Sequence, residues 1–144
     1  MTERNSDAPV VTHDITMVVV NAAGTPTVRP ALSYDPADPH AVTAAFPTSG
    51  EPVVWTFARD LLSRGLGHSV GEGDVRIWPG RDVSGRATVN IELTTPTGGL
   101  VAQARSRDIN RFLGHSLIAV PAGTESEHQD IDHLIDRLLQ PKYG

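Results

Sequence analysis

"LSYDPADPHAVTAAF", residues Leu32–Phe46, places two Asp-Pro steps, Asp35-Pro36 and Asp38-Pro39, between two apolar runs. Each proline fixes its own backbone and pushes the residue before it out of the helical region, so both aspartates are extended or in a turn. Aspartate side chains also accept from backbone N–H groups two residues on, which favours turns. The following "HAVTAAF" alternates, with Val42, Ala44 and Phe46 on one face. Strand, turn, strand is the reading. The same two carboxylates could serve as a general acid and base only with a cleft and perturbed ionisation, and nothing around them in the sequence supplies either. This stretch is read as the connection between neighbouring strands.

Working towards the N-terminus, Val28–Tyr34 is a second strand, preceded by the turn "NAAGTP". A first strand, His13–Val20, carries Ile15, Met17 and Val19 on one face and Val18 and Val20 on the other, as a strand covered on both sides does. Residues 1–11 read as a loose tail before a single domain of residues 12–144. Towards the C-terminus, "VVWTF" is a fourth strand, and "ARDLLSRGL" changes to helical period and stops at Gly65. "GHSVGEGD" reads as a linker. It lacks the preceding strand, the Lys-Ser/Thr and the following helix of a phosphate-binding loop. "DVRIWPG" is a fifth strand ending at Pro79, with Val75 and Ile77 facing one way and Arg76 and Trp78 the other. "RDVSGR" is a polar, mobile tip. "ATVNIELTT" alternates, with Val89, Ile91 and Leu93 inward and Thr88, Asn90, Glu92 and Thr94 outward. "LVAQARS" is the seventh strand, and "RDINRFLGHS" holds a short helix with Ile109, Phe112 and Leu113 on one face. Finally, Ile131, Leu134, Ile135, Leu138 and Leu139 make a full amphipathic helical face, with Thr124 and Glu127 at capping-box spacing ahead of it. About seven strands with one mid-chain helix and C-terminal helices describe an α+β domain of antiparallel sheets.

A chain of 144 residues can bury a core without covalent staples, and it has no cysteine, which excludes disulfides, thiolate catalysis and cysteine-ligated zinc. Neither a signal-peptide core nor an apolar run long enough for a membrane helix is present, so a soluble cytoplasmic protein is expected. The chain carries 17 acids against 12 bases, a net charge of −5. Eight arginines lie between Arg59 and Arg111, but Asp60, Glu72, Asp74, Asp82, Glu92 and Asp108 dilute them. Nucleic-acid grooves concentrate basic residues, because phosphate contacts supply most of the affinity, so the charge pattern argues against one here.

No catalytic signature emerges. The serines form no nucleophile elbow, and Ser49-Gly50 and Ser84-Gly85 are turn dipeptides. His128 and Asp132 share a helical face, yet two ligands are too few for a metal site, and His13, His40, His68, His115 and His133 suggest no others. No metal and no cofactor are expected. Trp55 and Trp78 stand near strand ends. They suit core or interface anchors, although Trp78 beside Arg76 and Arg81 could also stack on single-stranded bases. On the helix "ARDLLSRGL", Arg59, Asp60 and Arg64 occupy positions that the leucines leave free. Arg59 and Arg64, with Trp55 and Trp78, are therefore the candidate partner-binding residues, since protein-binding surfaces are rich in Trp, Tyr and Arg.

Four strings, "LSYDPADPHAVTAAF", "VVWTFARDLLSRGL", "GDVRIWP" and "FLGHSLIAVPAGTE", occur here in the order and spacing seen in the SsgA-like proteins, the actinobacterial sporulation and cell-division family. The chain resembles that family over roughly residues 13 to 140. The resemblance implies a whirly-like fold, a bell-shaped homotrimer, and a non-enzymatic regulator of sporulation septation. It implies action on the tubulin-like division protein FtsZ, on septum-site partners or on peptidoglycan remodelling, at division septa. Relatives of whirly type include single-strand nucleic-acid binders, which makes that activity the alternative. The departures from the family pattern are the polar tail, the "GRDVSGR" tip and "GHS" after Phe112-Leu113.

Overall fold

The computed structural model describes residues 9–127. Within them the chain runs β1 (Val11–Asp14), β2 (Met17–Val19), β3 (Thr27–Val28), β4 (Ala31–Tyr34), β5 (Ala41–Phe46) and β6 (Val53–Ala58). It continues through α1 (Arg59–Arg64), β7 (Val70–Glu72), β8 (Val75–Arg81), β9 (Ala87–Thr95), β10 (Gly98–Arg105) and α2 (Ser106–Ala119). The strands form two sheets, ordered β1-β4-β5-β6 and β3-β2-β10-β9-β8-β7, and every pairing is antiparallel. One core gathers the inward residues of both sheets, such as Leu32, Val42, Ile77, Ile91 and Ala102, with Leu61 and Leu62 of α1 and Ile109 and Phe112 of α2. The expected α+β class with antiparallel sheets is what the chain adopts.

The Asp-Pro stretch does what its residues dictate. β4 pairs with β5, Leu32 opposite Ala44. Between them the Asp35 carboxylate accepts from the Ala37 N–H at 3.0 Å, and the Asp38 N–H donates to the Asp35 carbonyl at 2.8 Å. Tyr34, fully buried, reaches over the turn and donates its hydroxyl to the Pro39 carbonyl at 2.9 Å. Burial pushes the phenol's ionisation up to about 12, although the Arg59 cation beside it pulls the other way. Removing this hydroxyl leaves the Pro39 carbonyl without its buried donor. Tyr34→Phe is therefore expected to cost about 1–2 kcal/mol in urea unfolding.

Ten strands appear where seven are expected: the first two runs each split between the sheets, and a further strand, β7, forms where a linker is expected. The run His13–Val20 breaks after Asp14: β1 joins the smaller sheet, and β2 joins the larger one beside β10. Val28–Tyr34 breaks at Arg29-Pro30, where β3 and β4 part in the same way. Proline cannot donate to a ladder, but the Pro30 carbonyl still accepts from the Ile15 N–H at 3.0 Å, tying the two crossing points together. "GHSVGEGD" is not a linker: Val70–Glu72 forms β7, and Gly73 takes the positive φ (+61°) that the first position of a tight two-residue turn demands. Pro79 does not end the fifth strand. β8 runs on to Arg81 with Pro79 opposite Val89, and its other edge is open there because β7 pairs only as far as Ile77.

Two outward residues of β9 are also covered. Thr88 and Asn90 are both buried; Asn90 accepts from Gln103 at 3.2 Å and has Trp78 across from it in register. The "RDVSGR" tip is cross-braced rather than loose: the Asp82 carboxylate accepts from the Ser84 and Arg86 N–H groups, and Arg81 donates to the Gly85 carbonyl. The second helix is longer than its apolar spacing suggests, 14 residues from Ser106 to Ala119. The amphipathic stretch Ile131–Leu139, with His128, Asp132 and His133, lies outside the described residues.

Candidate protein-docking surface

Arg59, expected on a free helix face, is inside the molecule. It is 2% exposed, and its guanidinium lies over the Tyr34 ring at 4.6 Å. Nη1 donates to the Ser116 carbonyl at 3.0 Å, and Nη2 pairs with Glu125 at 2.7 Å. The hydrogen bond from Arg59 holds the Glu125 carboxyl below its usual range, against the opposing effect of burial. One planar cation thus joins the β4 turn, the last turn of α2 and the segment that follows it. A partner would have to compete with Tyr34, Ser116 and Glu125 for it. The burial has a simple physical origin: Arg59 lies three residues before Leu62, on the margin of the face that α1 buries.

Arg64 does face solvent, paired to Asp60 one turn earlier at 2.8 Å, with both side chains more than half exposed. Such a pair contributes a few tenths of a kcal/mol and leaves the guanidinium available. The two tryptophans occupy different sheets. Trp55 shares the inward face of β6 with Phe57, is half-buried, and packs against the core. On the same strand Val53 and Val54 remain exposed, and β6 is the end strand of its sheet.

Trp78 is on the outward face of β8, half-buried, with the Arg76 guanidinium 5.0 Å from its ring centre. Strand register continues from it in a row across the larger sheet: Trp78 opposite Asn90, Asn90 opposite Gln103, Gln103 opposite Val18. The neighbouring row runs Arg76, Glu92, Val101. Beside these rows a groove of about 660 Å³ is walled by Val18, Val20, Thr88, Gln103, Arg105 and Arg107. An aromatic ring with a cation over it, a buried and a half-buried amide and a valine-lined groove form a surface suited to protein contact. The four candidate residues therefore do not converge: one is buried, one faces the core, and Arg64 and Trp78 are presented on separate elements. Asn90, Gln103 and Val18 escape sequence reading because only the register sets them beside Trp78.

Asp35 is spent on its turn, and among the described residues no three metal-ligating side chains converge. Nor is any helix among the described residues long and apolar enough to cross a membrane.

The family model for the Streptomyces sporulation and cell division protein SsgA matches residues 28–125, from the end of β3 to the Glu125 that Arg59 holds. The chain belongs to the SsgA family. Its relatives include the sporulation-specific cell division protein SsgB of Streptomyces coelicolor, 43% identical over 123 residues, which cover 85% of this chain and 89% of that one. The SsgB of Thermobifida fusca is 44% identical over 117 residues, 81% of this chain and 83% of the other. Two solved structures share the fold. One is the SsgA-like sporulation-specific cell division protein from Thermobifida fusca, with a TM-score of 0.84 and 36% identity, covering 96% of this chain and all of that one. The other is SsgB, described with mutations that correlate to longitudinal cell division during sporulation of Streptomyces coelicolor. Its TM-score is 0.77 at 40% identity, over 83% of this chain and 95% of that one. The SsgA-family span contains Arg59 with all its partners and Trp78, Asn90 and Gln103 of the outward row, whereas β1 and Val18 at the end of that row lie before it.

Proposed function

We propose that this SsgA-family chain is a non-enzymatic regulator of sporulation-specific cell division. It works in the cytoplasm at division septa through protein partners: FtsZ, septum-site proteins or the peptidoglycan-remodelling machinery. The observation that carries this reading is its likeness over most of its length to proteins named for sporulation-specific cell division. Partner contacts fall on the outward face around Trp78 and Arg76 and on Arg64, with Trp55 reached from the β6 edge. The chain assembles as a homotrimer, and the β6 edge, unpaired among the described residues and carrying exposed Val53 and Val54, supports that reading, because unpaired sheet edges must be covered.

The test is a double variant, Trp78→Ala with Arg76→Ala, in the full chain. Purified FtsZ is titrated against parent and variant, and light scattering confirms that both keep the same assembled mass. Loss of a central aromatic anchor and its cation is expected to weaken binding at least about tenfold. Unchanged affinity for FtsZ and for the other septal partners would refute the surface assignment. A second reading rests on the same ring: Trp78 under Arg76 is also a geometry for stacking a single-stranded base. That reading requires labelled single-stranded DNA to bind with a steep salt dependence, and the net charge of −5 opposes it.

A further inference from the structure

The fold brings His13 of β1 and His115 of α2 together across 102 residues, with His13 Nε2 and His115 Nδ1 2.8 Å apart. The rings meet edge-on at 4.9 Å, and the His13 ring also meets Phe112 edge-on at 5.5 Å. Partner binding as proposed above uses neither histidine. We propose that this pair is a proton-operated clasp, which holds β1 against α2 near neutral pH and releases it in acid.

The chemistry follows from the imidazole inventory. A neutral imidazole has one N–H and one bare nitrogen, so one ring donates to the other across the 2.8 Å gap. A single added proton can sit on a nitrogen that faces away, and the hydrogen bond survives as imidazolium to imidazole. A second proton places N–H groups on both facing atoms and two cations in contact, and the bond cannot persist. The charged groups acting on His13 are both on α2, His115 and Arg111, and both are cationic or become so. β4 presents Leu32 across from it, which does not titrate. Burial first, and then these two neighbours, lower the affinity of His13 for a proton. A group lowered in the folded state supplies stability that is present above its unfolded value, here 6.5. That stability is lost as pH falls below 6.5 towards the folded value.

β1 is the element such a clasp can control. It is an end strand, held to β4 by four register pairs, and none of its residues is fully buried. The next residue, Ile15, is anchored: it is 3% exposed and its N–H donates to Pro30. Opening therefore stops at Ile15, frees Val11–Asp14, and uncovers the outer edge of β4.

The experiment is amide hydrogen exchange on the full chain at about pH 7.5 and about pH 5, each corrected for intrinsic exchange, on the two sides of the ordinary imidazole value. Protection at Val11–Asp14 is expected to drop at least about tenfold in acid while β5 and β9 keep theirs. In His115→Gln, whose amide can still pair with His13 but cannot titrate, β1 should stay protected at both values. Equal loss in β1, β5 and β9, no loss anywhere, or an unchanged acid response in H115Q would each overturn the clasp. Should H115Q not fold, NMR titration of the parent's imidazoles decides: His13 must protonate below its ordinary value, with β1 amide shifts moving on that step. Independent titration of the two rings at ordinary values would equally overturn it.

Discussion

Replacing Arg59 by alanine is expected to destabilise the domain by about 3–5 kcal/mol, the usual consequence of removing the buried member of an ion pair, here one whose Glu125 partner is half-buried. For a chain of this size that lowers the melting temperature by roughly 10–20 °C. Arg59 is the one charged residue in the buried set among the described residues. Its loss strips the Ser116 carbonyl of its donor, leaves Glu125 beside an empty space, and uncovers the face of Tyr34. Arg59→Lys should recover only part of the loss. A single ammonium cannot reach Ser116 and Glu125 from two nitrogens while lying flat on a ring. The pH dependence has a definite sign. Because Arg59 holds the Glu125 carboxyl below its ordinary value of 4.5, the pair supplies stability at neutral pH. That stability is lost as pH falls below 4.5 through the folded-state value. Glu125→Gln should remove that acid-side decline. An Arg59→Ala variant that melts within a degree or two of the parent would show that the guanidinium is incidental to the fold.

The β4–β5 hairpin was legible because proline and aspartate act through their own backbone and the next two residues, so "DPADP" carries its turn wherever it is placed. The sheet changes after Asp14 and at Arg29-Pro30 were not, because alternation continues through both breaks: Ile15, Met17 and Val19 are all buried, as one uninterrupted strand would also require. A signal was present in Pro30, which is poorly suited to the middle of a ladder. The length of α2 was hidden by Ser116, a polar residue at an apolar position. It is fully buried, its hydroxyl donating to the Leu113 carbonyl and its own carbonyl accepting from Arg59. Arg59 itself could not be read as buried from composition. Its partners lie 57 and 66 residues away, and only the tertiary fold sets them around one cation. The docking surface was half legible: alternation puts Arg76 and Trp78 on one face, but Asn90, Gln103 and Val18 join them only through the register of four strands.

Phe112→Ala is the second large loss, expected at about 3–5 kcal/mol by the ordinary cost of truncating a buried aromatic ring. Phe112 is fully buried on the α2 face that also carries Ile109, Leu113 and Ser116, at spacings of three, four and seven residues. The cavity would open at the junction of α2 with β1, so backbone collapse has little scope: α2 also packs on β9 and β10. Phe112→Leu, which keeps most of the volume, should cost no more than about 1.5 kcal/mol. Both values follow from denaturant midpoints, provided the slope of unfolding is unchanged. A double-mutant cycle with His13→Ala then separates packing from the edge-on contact between the rings. Coupling of about 0.5–1.5 kcal/mol is expected if the His13–Phe112 geometry carries energy of its own. If the two losses simply add, Phe112 acts by volume alone, and His13 is held by His115 without help from the ring beneath it.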